Sequence, residues 1–201
     1  MSEQQLNLEQ DLREAQEMAD GLGDYLRGGE LYGSLGGGLF GSGKKPALTI
    51  GALLLRLRRL NALSDRLSDA QRTALRAVEA QHDGIRREWN QHYTEKLTRE
   101  AHSRLDAMRA YFEECTHDER LCANAYLPEA MRRTIVQEIA GFMDAHAMIS
   151  EELTEKLRGT DGRLRRFVQP ADFIWAAELM PVYPKDIFWW LYGRPPFPEA
   201  R

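Results

Sequence analysis

Cysteine is nearly missing from this chain of 201 residues: only Cys115 and Cys122 occur, which excludes a multi-disulfide scaffold and a four-cysteine zinc framework. Six residues lie between them, a spacing that permits a small loop disulfide in an oxidising compartment. In a reducing cytosol the same pair is expected as free thiols. Long hydrophobic runs are also missing. No stretch approaches the roughly 20 apolar residues of a membrane span, and the first residues lack the basic and apolar regions of a secretory signal. The expected location is therefore cytoplasmic. Lysine is scarce: of 27 basic residues only Lys44, Lys45, Lys96, Lys156 and Lys185 are lysines. A net charge of -4 speaks against a protein built around nucleic acid. No repeat of fixed period is present, and the strict alternation of a half-buried strand is almost absent.

Helical periodicity fills the gap. Leu8, Leu12, Ala15, Ala19, Leu22 and Leu26 step by fours and threes, the heptad seam of a helix that packs on another helix. That helix should stop at Gly28-Gly29. Pro46 suits a first helical turn, and Ile50, Leu53, Leu57, Leu60, Leu63 and Leu67 draw a second stripe. Ser68 with Gln71 fits a capping box, so a new helix starts there or the two run on. A third helix is expected from Asp69 to Cys115, which at about 1.5 Å per residue would reach some 70 Å and protrude. Met131, Ile135, Ile139, Phe142, His146, Ile149 and Leu153 define a fourth that ends near Arg158-Gly159, its antiparallel neighbour across a short turn. Two short helices, bracketed by Pro170 and Pro181 and by Pro184 and Gly193, close the chain.

These patterns predict an all-α fold: an elongated helical bundle with a long antiparallel coiled-coil-like hairpin and a short aromatic C-terminal helical tail. They divide it into an acidic heptad helix over 1–29, a glycine-rich flexible linker over 30–45, a bundle with the hairpin over 46–160, and an aromatic, proline-rich tail over 161–201.

Several stretches resemble chemistry. Gly38, Gly43 and Lys44 match the spacing of a phosphate loop. However, Lys45 replaces the hydroxyl that would hold magnesium, no strand delivers the loop, and no strand-end aspartate supplies the metal acid. A flexible hinge between helices is the expectation. His82-Asp83 and His117-Asp118 resemble the paired motif of a metal-dependent HD-type phosphohydrolase. Glu79 with His82 and Glu114 with His117 repeat the i, i+3 pairing of di-iron bundles. On one continuous helix about 50 Å would separate the two sites, so neither centre forms within one subunit. Cys115, His117, Cys122 and His146 do not have zinc-finger spacing, and His146 falls on an apolar seam as a core histidine would. No metal, cofactor or catalytic residue is expected, and no small-molecule substrate.

Two surfaces remain. Residues 1–30 carry eight acids and two bases, whereas 44–76 carry eight bases and two acids. The two segments are expected to dock on each other, with Arg56, Arg58 and Arg59 facing the acids. The alternative is that the basic amphipathic helix 46–67 lies on an anionic membrane. In the tail, six consecutive apolar residues run from Ile187 to Tyr192. They demand cover on several sides, and Phe188, Trp189, Trp190 and Tyr192 are types enriched in binding hot spots. The sequence therefore points first to a non-enzymatic interaction or assembly protein that binds a protein partner or a second copy. A peripheral membrane protein and an HD-type hydrolase follow.

Overall fold

A computed structural model describes residues 5–35 and 46–196, and the described chain is mostly helical, an all-α fold with a few two-residue strands. It forms two compact units, one over Asn7–Glu100 and the other from Ala101 onward.

In the first unit the heptad seam makes α1, Leu8–Arg27, with Leu12, Ala15, Ala19, Leu22 and Leu26 all buried. Asn7 caps it, its side chain accepting from the Gln10 amide at 3.0 Å. Helix α2, Ile50–Ala62, starts four residues later than Pro46 suggests. The cause is local: Ala47–Leu48 (β2) pairs antiparallel with Gly33–Ser34 (β1), and Thr49 then caps the helix through the Ala52 amide at 3.1 Å. Gly33 is required there, because a Cβ would stand 2.9 Å from the Tyr25 ring. The intervening glycines, including Gly38 and Gly43 with Lys44, lie outside the described residues. After a 3-10 turn at Ser64–Arg66, the capping box at Ser68 and Gln71 opens α3, Asp69–Glu88.

The expected 70 Å helix is not formed. Helix α3 ends at Glu88, Trp89 leaves helical geometry at φ -110 and ψ 33, and α4, Asn90–Cys115, begins immediately. No glycine or proline marks the break.

In the second unit α4 ends where Cys115 and Cys122 join in a disulfide, closing the turn into α5, Glu119–Asn124. The expectation of free thiols is thus corrected: the tight turn at the end of α4 brings both sulfurs together. The expected fourth helix is two, α6, Tyr126–Ala145, and α7, Glu151–Phe167. Ala147 takes a positive φ of 54°, and the Ser150 hydroxyl caps α7 at the Leu153 amide, 3.2 Å away. His146 is consequently not a core residue; it sits exposed at the end of α6, stacked on Phe142. Helix α7 runs in the same direction as α4: Asp106 meets Lys156, and Phe112 stacks on Phe167 further along both.

The tail is not two α-helices. It folds as 3-10 turns at Ala177–Val182 and Trp189–Tyr192, tied by a ladder between Gln169–Pro170 (β3) and Gly193–Arg194 (β4). Short 3-10 turns let bulky neighbours point in several directions at once, which six consecutive apolar residues require.

Candidate functional site: an arginine core and an aromatic clasp

The basic residues of α2 do not form a surface. Arg56 and Arg59 are 1% and 2% exposed. Arg56 donates through Nε and Nη2 to Glu14 Oε2 at 2.8 and 2.6 Å, and through Nη1 to the Ala52 carbonyl. Arg59 stands 3.6 Å from Asp11. These pairs join α1 and α2 antiparallel and bury Arg56 and Arg59 against the acids of α1. Arg58 alone of the three is partly exposed. Heptad counting missed the acids, since Asp11 and Glu14 sit just beside the apolar seam of α1. Their signal was the arginine excess in the following helix.

Around this core lie three more buried polar contacts. Glu100, with no exposed surface, accepts the Gly51 amide at 2.9 Å near the start of α2, where the helix dipole favours an anion. Lys96 lies over the Tyr25 ring at 4.0 Å and donates to the Glu30 carbonyl; burial, then the nearby Arg99, lower its pKa. His82 meets the Tyr93 hydroxyl at 2.8 Å, and burial pushes that phenol well above its ordinary range.

The aromatic tail is folded into its own unit. Phe188 and Trp190 have no exposed surface, so these two expected hot-spot residues are core; Trp189 and Tyr192 remain half-buried. The physical reason is a clasp built on α6. Trp190 donates from its indole nitrogen to Thr134 at 3.0 Å, and its carbonyl accepts from the Tyr126 hydroxyl at 2.6 Å. The Arg133 guanidinium stacks on the Trp190 ring at 3.9 Å and grips Asp161 of α7 with two bonds of 2.6 and 2.9 Å. Arg165 covers Trp189 at 3.9 Å. Neither Arg133 nor Asp161 stood out in the sequence, because each looks like one more member of a charged helix face.

Beside the disulfide, the Tyr111 hydroxyl donates to the Cys122 carbonyl at 2.7 Å. Burial raises the pKa values of Tyr111 and Tyr126 and of Glu129, which is only 4% exposed. Glu129 pairs with Arg132 through one oxygen and leaves the other buried without a partner.

The two His-Asp pairs belong to different units. His82 and Asp83 belong to the first unit and His117 and Asp118 to the second; Asp118 caps α5 through the Arg120 and Leu121 amides. Among the described residues no three His, Cys, Asp or Glu side chains gather as metal ligands. Nor is any described helix long and apolar enough to cross a membrane.

What remains open on the first unit is a groove between α1 and α3 of about 350 Å³. Arg13, Gln16, Glu17 and Asp20 line one wall and Ala74, Ala77, Val78 and Gln81 the other. Both sets follow the i, i+3, i+4, i+7 spacing of one helical face. Comparison with protein-family models, with curated proteins and with solved structures finds no match to this chain.

Proposed function

We propose that this chain is a non-enzymatic interaction or assembly protein that seats a helix of a protein partner, or of a second copy, in the α1–α3 groove. The observation that supports this is the matched spacing of its two walls. Two helices that turn such faces to an open groove form the seat that a third helix fills with its own side chains. Ala74 and Ala77 keep one wall low enough for a third backbone to approach, and Arg13, Glu17 and Asp20 offer charges of both signs at the rim. The elongated, coiled-coil-like bundle read from the heptads belongs to the same proposal. The aromatic tail contributes only through the parts of Trp189 and Tyr192 that stay at the surface.

The test is sedimentation velocity across a wide concentration range, with the native chain and with Ala77→Trp. Self-association, or a stoichiometric complex with a purified partner, is expected for the native chain and should weaken at least tenfold when the groove is filled. A chain that stays monomeric and binds no partner, or whose complex ignores Ala77→Trp, overturns the reading.

A further inference from the structure

The α4 and α7 faces of the second unit enclose a cavity of about 170 Å³ that the interaction reading does not use. Helix α4 lines it with Leu105, Asp106, Arg109 and Phe112, and α7 with Lys156, Gly159, Thr160 and Arg163. Leu105 and Phe112 are buried and make an apolar floor, and the Phe112–Phe167 stack, with ring centroids 5.5 Å apart, holds that end of the two helices together. Above the floor stand three cations and one carboxylate. Asp106 Oδ1 is 2.9 Å from Lys156 Nζ and 3.4 Å from Arg109 Nη2, so one acid gathers two cations without neutralising the set. At one end His102 Nδ1 lies 3.2 Å from Lys156 Nζ, and its Nε2 is 4.0 Å from Glu152.

Gly159 lines the cavity at an exposed position of α7. Residues 156, 159, 160 and 163 share one face of α7, and Gly159 is in the middle of it. Glycine in a helix interior is less stable than alanine, and close packing is the usual reason to keep it. Here a Cβ at Gly159 would meet nothing within 4 Å. The side chain is absent where space, not packing, is gained.

From this geometry we infer that the α4–α7 cavity binds a phosphate group, carried by a small phosphomonoester. Arg109 on one wall and Lys156 and Arg163 on the other line the cavity. A planar carboxylate is satisfied by one fork, whereas a tetrahedral phosphate offers oxygens in three directions and a charge near two. Asp106 holds Lys156 and Arg109 in place and relieves their mutual repulsion. The apolar floor takes the carbon part of the ester. This departs from the expectation of no small-molecule ligand and stands independently of the α1–α3 groove.

The experiment is calorimetric titration of the full chain with glycerol phosphate and with inorganic phosphate, alongside flotation with vesicles containing phosphatidic acid. Saturable binding of the ester is expected. Gly159→Leu should weaken it at least about tenfold by filling the cavity, with an unchanged or higher thermal midpoint, since leucine favours the helix. Arg163→Glu should weaken it by a similar factor, the loss of one charge-assisted contact, while Arg158→Glu, outside the cavity, should not. Vesicle binding blocked by Gly159→Leu would support the phosphate site and make a lipid headgroup its source. No binding of any probe at millimolar concentration, or binding indifferent to Gly159→Leu, overturns the assignment.

Discussion

The imidazole Nε2 of His82 lies 2.8 Å from the hydroxyl of Tyr93, eleven residues further along the chain. On a straight helix those residues would be separated by a rise of about 16 Å, beyond the combined reach of the two side chains. Their meeting records the break in the helix at Trp89. It also supplies a polar partner for each of two groups that have almost no access to water, at 4% and 0% exposure.

Tyr93→Phe removes the hydroxyl and takes this hydrogen-bond partner from the buried His82 ring. A loss of about 1–3 kcal/mol is expected in urea unfolding. The double variant His82→Leu with Tyr93→Phe should recover much of it, because then no polar group is stranded. If Tyr93→Phe costs nothing, the contact does not hold the break at Trp89.

Breaking the Glu14–Arg56 pair tests whether the basic stripe is core. Glu14→Ala takes the carboxylate from a buried guanidinium and should cost about 3–5 kcal/mol in chemical denaturation. Replacing both, Glu14→Leu with Arg56→Met, should be near neutral or stabilising. Arg58→Glu, at a partly exposed position, should cost less than Glu14→Ala. Equal effects at Arg56 and Arg58 would contradict the burial.

Arg133 joins α6, α7 and the tail, so its removal should loosen the aromatic clasp. Arg133→Ala is expected to cost about 3 kcal/mol and to shift tryptophan fluorescence to longer wavelength as Trp190 loses its cover. Arg133→Lys should restore only a minor part, since an ammonium neither stacks flat on the indole nor grips Asp161 with two bonds. Full rescue by lysine would reduce the contact to simple charge.

Glu129 predicts a pH dependence with a definite sign. Burial raises its pKa above the ordinary 4.5, so the folded chain holds this proton more tightly than the unfolded one. Its contribution to stability therefore falls as pH rises from the ordinary value through the raised one. Glu129→Gln keeps the shape without the charge and should stabilise the protein by roughly 1 kcal/mol at pH 7. That gain should shrink to nothing as pH is lowered to 4, where native Glu129 is itself protonated. Thermal melts of both proteins across this range check it, and a gain that grows toward acid pH would refute it.

Much of the fold is legible from local pattern. The α1 seam, the second apolar stripe and the capping box at Ser68 and Gln71 appear as read, because periodicity and caps are encoded within one or two turns of chain. Breaks inside helices were harder. Trp89 and the Ala147 turn carry no glycine or proline signal, and each is held by contacts with residues remote in sequence or by the cap that follows. Burial was hard to read for a related reason: arginine and tryptophan are residue types that suit an interface and a polar core equally.

By itself the sequence determined that the protein is helical, which apolar stripes α1 and α2 bury, where α3 is capped, and that an acidic segment precedes a basic one, since these rest on short-range spacing and composition. Tertiary structure alone decided which acids Arg56 and Arg59 meet, Glu14 and Asp11, and that Phe188 and Trp190 are buried. It also decided which residues of α4 and α7 line one cavity. Burial and pairing depend on which remote side chain arrives opposite, and that is settled only when the helices have packed.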